Sequence, residues 1–136
     1  GALGPAGQRA MANAQERARG WLTAWDPGRQ REAWRVDYSG TGSGGVLATA
    51  GNLVIQGTVD DTVAIYRADT GEKLWEALVN TEPAAGPISY AVDGKQYVAI
   101  VVGEGGFHAR SFAPLVPELR SPPNRGATLW VFALPD

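Results

Sequence analysis

An all-β fold assembled from repeated sheets is predicted by two features of this 136-residue sequence. From Trp21 to the end, short apolar runs alternate with turns rich in Gly, Asp, Asn and Pro, which is the spacing of an all-β protein. The stretch "LTAWDPGRQREAW" at 22–34 also parallels "VAIYRADTGEKLW" at 63–75, and their final residues, Trp34 and Trp75, are 41 positions apart. A period of about 40 residues is typical of one four-stranded blade, so the sequence predicts a partial β-propeller.

The composition excludes several classes of protein. With 44% hydrophobic and 19% charged residues, the chain is expected to fold rather than to remain disordered. The net charge of −2 offers no basic surface, so we expect no nucleic-acid partner. The absence of cysteine excludes a disulfide, a thiolate metal site and a thiol nucleophile. No apolar run approaches the roughly 20 residues that span a bilayer.

The elements are predicted in order along the chain. Residues 1–19 form a lead segment, helical or disordered, in which "MANAQERAR" at 11–19 favours helix but offers little apolar surface to bury. Residues 20–136 are assigned as propeller blades, with a proline-rich loop at 103–126 that is expected to be functional or disordered. Turns at 50–52, 68–71 and 93–94 contain residues that tolerate positive φ. The predicted strands are 21–25, 32–37, 45–49, 53–57, 62–67, 73–78, 87–92, 96–102 and 127–134.

Grouping the strands by blade predicts an incomplete ring. The first two strands form the outer pair of one blade, the next four form a second blade, and the last three belong to a third. About two and a half blades cannot close a propeller. We expect the strand at 127–134 to lie beside 96–102 and a strand from upstream residues to complete the last blade. Because the chain begins with Gly and carries no signal peptide, we expect it to be trimmed or part of a longer protein.

The glycines of "GTGSGGVLATAGNLVIQGT" at 40–58 match a G-x-G-x-x-G spacing at Gly40, Gly42 and Gly45. A dinucleotide loop of this kind has to open a helix, whose N-terminus holds the pyrophosphate. Two short strands follow Gly45 instead, so the spacing does not indicate a nucleotide site. Glycines also suit the innermost strands of a propeller, where backbones approach closely.

Four segments in order resemble one enzyme family. They read "GGVLATAGNLVIQGT" (44–58), "ADTGEKLWE" (68–76), "DGKQYVAIVVGEGG" (93–106) and "LWVFALPD" (129–136). Together they resemble the C-terminal end of quinoprotein alcohol dehydrogenases of the methanol and ethanol type. The resemblance implies an eight-bladed propeller that oxidises alcohols to aldehydes in the periplasm. It also implies pyrroloquinoline quinone (PQQ), a calcium or lanthanide ion, and cytochrome c or another electron acceptor.

This resemblance places part of a cofactor rim in the chain. The family's "G-W-G-G" turn maps onto residues 103–106, so Gly103, Glu104 and Gly105 are the predicted cofactor-binding residues. Glu104 replaces an aromatic residue, and Ser43 stands where relatives carry Trp or Asn, so both departures remove surface that would contact a planar cofactor. The resemblance assigns the metal ligands, the Asp base and an adjacent-cysteine disulfide to upstream blades. No catalytic or metal-binding residue is therefore predicted here.

Other conspicuous residues have structural explanations. Trp25, Trp34, Trp75 and Trp130 are predicted to pack between blades because of their positions in the repeats. "ADTGEKLW" resembles the family's tryptophan-docking motif, and Trp75 is expected to pack on Gly71. Gln30 stands where the preceding repeat would carry the motif glycine. His108 is expected to be a loop residue, and Asp60 and Asp61 are expected to form a turn.

Two classes of function remain open. The first is a segment of a PQQ-dependent alcohol dehydrogenase that is inactive on its own, with upstream blades of the same protein as its partners. The alternative is a non-catalytic propeller scaffold, such as an outer-membrane assembly lipoprotein. The glycine-rich segments and the long loop favour the dehydrogenase, whereas the missing aromatic at Glu104 favours the scaffold. Metal ligands and an adjacent cysteine pair in upstream sequence would decide for the enzyme.

Overall fold

A computed structural model describes residues 4–39, 43–80, 83, 85–103 and 126–135. These residues form one helix and nine strands. The elements are α1 (Pro5–Arg17), β1 (Arg19–Asp26), β2 (Arg31–Ser39), β3 (Ser43–Ala48), β4 (Leu53–Thr58), β5 (Thr62–Arg67), β6 (Lys73–Leu78), β7 (Ile88–Val92), β8 (Lys95–Gly103) and β9 (Ala127–Ala133).

The strands form three antiparallel sheets, and this arrangement confirms the predicted grouping. Sheet 1 contains β1 and β2, sheet 2 contains β3 to β6 in sequence order, and sheet 3 contains β7, β8 and β9. As predicted, β9 lies beside β8, with Ile100 opposite Trp130 and Gly103 opposite Ala127. Two part-blades therefore flank one complete four-stranded blade.

The lead segment contains a longer helix than the sequence suggested. The helix α1 begins at Pro5, a residue suited to the first turn because its missing N–H would be unpaired there in any case. It ends at Arg17, and Arg19 already belongs to β1. Among the described residues, no helix is long and apolar enough to cross a membrane.

The 41-residue repeat is visible in backbone detail. A bulge interrupts the pairing of β1 with β2 between Ala24 and Trp25, and the pairing of β5 with β6 is interrupted at the equivalent step, between Ile65 and Tyr66. Positive φ angles recur with the same offset, at 49° for Gln30 and 74° for Gly71. They recur again in the hairpins at Asn52 and Asp93, with φ of 63° and 51°. The β1–β2 hairpin is thus the structural equivalent of β5–β6, the outer pair of sheet 2.

The two central strands of sheet 2, β4 and β5, are buried on both faces because their alternate side chains point to opposite neighbouring sheets. One core joins sheets 2 and 3 and contains Ile55, Val63, Ile65, Val79, Val98, Ile100 and Val102. The other core joins sheets 1 and 2 and contains Leu22, Val54, Ala64 and Tyr66. The near-continuous apolar sequence of β4 and β5 is the consequence of this two-sided burial.

A tryptophan joins sheet 1 to sheet 2. It is Trp34 that packs on Gly71, and not Trp75 as expected from the sequence. The indole Nε1 of Trp34 donates to the carbonyl of Ala68 at 2.8 Å. A Cβ built on Gly71 would lie 2.7 Å from Cδ2 of this ring, so the indole rests on the glycine backbone. The expectation that Trp75 packs on Gly71 is wrong. Trp75 instead meets the ring of Phe132 in sheet 3 edge-on at 5.2 Å, so Trp34 and Trp75 each contact the sheet that follows their own.

The outward faces of sheets 1 and 3 are exposed within the described residues. Trp25, predicted to pack between blades, is 61% exposed on sheet 1 because no preceding sheet covers it here. On sheet 3, Ile88, Val92, Leu129 and Val131 form an exposed apolar face. Trp34 and Trp130 are partly buried against the cores as predicted.

Candidate functional site

The candidate site lies at one end of the sheets, where five glycines are close to one another or to neighbouring residues. The pairing of Ser43 with Thr58 and of Thr58 with Thr62 brings the start of β3, the end of β4 and the start of β5 to this end of sheet 2. The end of β8 and the start of β9 lie at the corresponding end of sheet 3. We call this region the glycine end; its glycines are Gly44, Gly45, Gly57, Gly86 and Gly103.

At the glycine end, the start of β3 contacts the segment that leads into β7. A Cβ on Gly45 would lie 2.8 Å from the Cα of Gly86, and Gly45 has a φ of 103°. A Cβ on Gly44 or on Gly57 would overlap Pro83. Only glycine permits this backbone contact, which agrees with the expectation that Gly44 and Gly45 start an innermost strand.

Gly103 is the described member of the predicted cofactor-binding set. It is buried at the last position of β8, opposite Ala127. Its φ of 154° and the 2.8 Å that would separate its Cβ from the Cα of Ala127 both require glycine. The other two predicted residues, Glu104 and Gly105, lie outside the described residues, as do Gly106 and His108. Their roles stay predictions.

The acidic pair at the glycine end forms a turn, as predicted. Asp61 has a φ of 62°, and Asp60 accepts a hydrogen bond from the hydroxyl of Thr58. The carbonyl of Asp61 accepts from the backbone N–H of Val79 at 2.8 Å, which ties the turn to the strand connection beside it. Within the described part of the chain, no group of three or more His, Cys, Asp or Glu side chains could hold a metal ion.

A buried polar side chain near this end was not singled out from the sequence. Gln56 in β4 is 2% exposed, and its Oε1 atom has no hydrogen-bond partner among the described residues. An unpaired buried carbonyl costs roughly 1–3 kcal/mol. The sequence signal for this buried amide was a single Gln within the mostly apolar β4. In the structure every residue of β4 from Val54 to Thr58 is buried.

Two ionisable side chains in the outer pair of sheet 2 have raised pKa values. Burial raises the pKa of Tyr66 above its usual 10.0, with smaller effects from Lys73, Glu76, Asp60 and Tyr38. The hydrogen bond from Lys73 to Glu76, 2.6 Å long, raises the pKa of Lys73. Neither group lies at the glycine end.

Comparison with known proteins identifies the family. The sequence model of the "Glucose/ethanol/alcohol dehydrogenase, beta-propeller domain" family matches residues 5–98. The chain belongs to this PQQ family. The match covers both the 41-residue repeat and the start of the glycine end, and it confirms the resemblance to a C-terminal segment of a quinoprotein alcohol dehydrogenase.

Three relatives illustrate the match. The quinohemoprotein alcohol dehydrogenase of Comamonas testosteroni is 52% identical over 89 residues, which is 65% of this chain and 13% of the relative. A crystal structure of quinohemoprotein alcohol dehydrogenase from that species covers 85% of this chain and 16% of its own, with a TM-score of 0.71 and 42% identity. The 1-butanol dehydrogenase (cytochrome c) of Thauera butanivorans is 44% identical over 115 residues, 85% of this chain and 16% of the relative.

A more distant structure is similar in fold and sequence. A europium-containing methanol dehydrogenase matches with a TM-score of 0.67 and 26% identity, covering 85% of this chain and 23% of its own. The chain thus spans between about an eighth and a quarter of the proteins that it matches. This share agrees with a few blades of a much larger propeller.

Proposed function

We propose that this chain supplies C-terminal blades of a PQQ-dependent dehydrogenase that oxidises alcohols to aldehydes. The observation that carries the proposal is the glycine end, where Gly103 ends β8 next to the bridge of Val102 with Pro83, the residue that also abuts Gly44 and Gly57. The relatives named above are alcohol dehydrogenases, one of them linked by name to cytochrome c. They support this proposal over a non-catalytic scaffold.

The part played by this chain would be to shape the cofactor rim. PQQ, when bound, supplies the oxidising chemistry by accepting a hydride equivalent from the alcohol. Gly103 leaves the end of β8 free of a side chain, and Glu104 and Gly105 follow it in the sequence. A rim made of backbone fits the edge of a planar group, because glycine allows close approach without a displaced side chain.

The reacting groups would come from upstream blades of the same protein. The described residues hold no acidic or histidine cluster for a metal, so the calcium or lanthanide ion would be held elsewhere, as would the base that removes the alcohol proton. A lanthanide is supported by the europium-containing relative. We propose a periplasmic location and cytochrome c, or an equivalent acceptor, for the electrons.

The test compares two glycines of sheet 3 in the complete dehydrogenase. Gly103→Ala should force the end of β8 and the start of β9 apart, because its Cβ would lie 2.8 Å from the Cα of Ala127. We expect weaker PQQ binding in equilibrium titration, and alcohol oxidation reduced by up to about 100-fold, the loss associated with a misplacement of about 1 Å. Gly94→Ala is the control, since Gly94 has a similarly restrictive φ of 78° but nothing within 4 Å of its Cβ position.

Two further outcomes bear on the proposal. The isolated 136 residues, given PQQ and calcium, should show no alcohol oxidation, because we propose that the reacting groups lie in upstream blades. A complete protein that neither takes up PQQ nor oxidises any alcohol would favour the scaffold instead. Equal losses of PQQ binding and alcohol oxidation in Gly103→Ala and Gly94→Ala would show that Gly103 is not part of the cofactor rim.

A further inference from the structure

The turn of sheet 2 shows what docking of a tryptophan requires. The ring of Trp34 lies on the turn at 68–71, where its Nε1 donates to the carbonyl of Ala68. Three ring atoms would lie 2.7 to 3.1 Å from a Cβ on Gly71, closer than packed carbon atoms normally approach. The flat contact therefore depends on the missing side chain at the left-handed position of the turn.

The turn of sheet 1 shares the bulge and the left-handed position of this turn but carries a different residue there. The bulge at Ala24 and Trp25 and the left-handed φ of Gln30 repeat the features of sheet 2 at an offset of 41 residues. By this offset Pro27 corresponds to Ala68, and Gln30 corresponds to Gly71. The turn is further fixed by Asp26, whose carboxylate accepts from the backbone N–H groups of Gly28 and Arg29, both at 3.0 Å.

The outward face of sheet 1 is exposed among the described residues, but it carries large aromatic side chains that are typical of a buried surface. Trp25 is 61% exposed, whereas Tyr66, its equivalent in sheet 2, is only 4% exposed because sheet 1 covers it. Beside Trp25 on the same face, Trp21 carries the guanidinium of Arg35 over its ring at 4.9 Å. The repeat therefore identifies the occupant of this face as a preceding sheet of the same protein.

We propose that this preceding sheet packs on Trp21 and Trp25 without laying an indole on the turn at 27–30. The Cβ of Gln30 occupies the surface that Gly71 leaves open for Trp34, so an indole cannot reach the Pro27 carbonyl in the same geometry. The facing position of the preceding sheet accordingly carries a small or polar side chain, or a tryptophan that stands away from the turn. The aromatic contribution to this junction comes from sheet 1 instead. This inference rests on the proposed function, which supplies the preceding sheet.

One test asks whether glutamine at the left-handed position abolishes docking. In the complete dehydrogenase, Gly71→Gln should lower the thermal midpoint much more than Gly94→Gln and shift tryptophan emission to longer wavelength as Trp34 loses its contact. Gly94→Gln controls for the backbone conformation, because its φ is 78° and its Cβ position is open. Equal midpoints for the two variants would mean that docking tolerates glutamine, and the inference would then be wrong.

The second test is an experimental structure of the complete dehydrogenase. We expect a sheet over Trp25 and no indole Nε1 within about 3.2 Å, the usual limit of an N–H···O bond, of the Pro27 carbonyl. An indole bonded to that carbonyl overturns this inference while leaving the dehydrogenase assignment intact. A structure with no sheet over Trp25 contradicts the closed propeller itself, and with it the proposed function.

Discussion

At the scale of single residues, glycine sets how closely the sheets approach. Gly57 has no unusual φ to satisfy, yet its Cβ would overlap Pro83 and lie 3.2 Å from Cδ1 of Ile100. Glycine is required there because Pro83 and Ile100 leave no room for a side chain. Gly51, in the exposed β3–β4 hairpin, has room for a methyl group, with only Thr49 Oγ1 at 3.7 Å.

This contrast gives a stability prediction. Gly57→Ala should lower the free energy of unfolding by about 1–3 kcal/mol, the usual cost of overpacking a core, whereas Gly51→Ala should change it by less than about 0.5 kcal/mol, as surface substitutions do. Chemical denaturation of the two variants measures the difference. Similar values would show that the sheets can separate at Pro83 without cost.

Tyr66 provides a prediction about pH. Burial raises the pKa of its phenol in the folded protein above the usual value of 10.0. From about pH 10 upward the unfolded chain therefore releases this proton while the folded chain retains it, so the stability contribution present below pH 10 is lost as pH rises. Tyr66→Phe keeps the ring and removes the proton. We expect its stability to fall less steeply above pH 10 than that of the wild type; parallel curves would contradict this.

At the scale of elements, the junction of sheets 1 and 2 depends on one indole as well as on the small core around Leu22 and Tyr66. The β1–β2 hairpin pairs with no other strand among the described residues. Its attachment to sheet 2 must therefore come from side chains. Trp34 combines ring contact with Gly71 and a hydrogen bond to Ala68.

Two substitutions at Trp34 separate these contributions. Trp34→Phe should retain most ring contact and lose about 1 kcal/mol for the hydrogen bond, whereas Trp34→Ala should lose about 3–5 kcal/mol. Urea unfolding followed by circular dichroism measures both, and amide hydrogen exchange should show the loss of protection concentrated in β1 and β2. Equal losses in the two variants would mean that the hydrogen bond, not the ring, holds the hairpin.

At the scale of the whole molecule, the stack of three sheets has two faces that no other described residue covers. Leu129 is 62% exposed on sheet 3, and Trp25 is nearly as exposed on sheet 1. Apolar faces and unpaired strand edges of this kind drive association. In the complete propeller, neighbouring blades would cover both faces.

The isolated chain is therefore expected to self-associate. Sedimentation velocity at increasing concentration should show species larger than 14.3 kDa, and joining the chain to its upstream blades should yield a discrete monomer. Replacing Leu129 and Val131 by Thr, which retains strand propensity, should reduce association of the isolated chain. A monodisperse monomer with cooperative unfolding would argue that the 136 residues form a complete domain.

The sequence by itself determined the strands and their grouping into sheets. Alternation of apolar runs with turns located all nine strands, and the repeat of Trp34 at Trp75 placed equivalent hairpins 41 residues apart. These features are local: strand pattern and turn chemistry are encoded within a few residues. The family resemblance added Gly103 to the candidate site on the same local basis.

Only the tertiary structure decided which sheet each side chain meets. The repeat could not show that Gly71 supports Trp34 rather than Trp75, because the contact crosses from one sheet to the next. Nor could it show that Gly45 meets Gly86, or that the side-chain carbonyl of Gln56 is buried with no partner among the described residues. Such contacts depend on the stacking distance and rotation of whole sheets, which arise from the packing of both cores and are not written in any one segment.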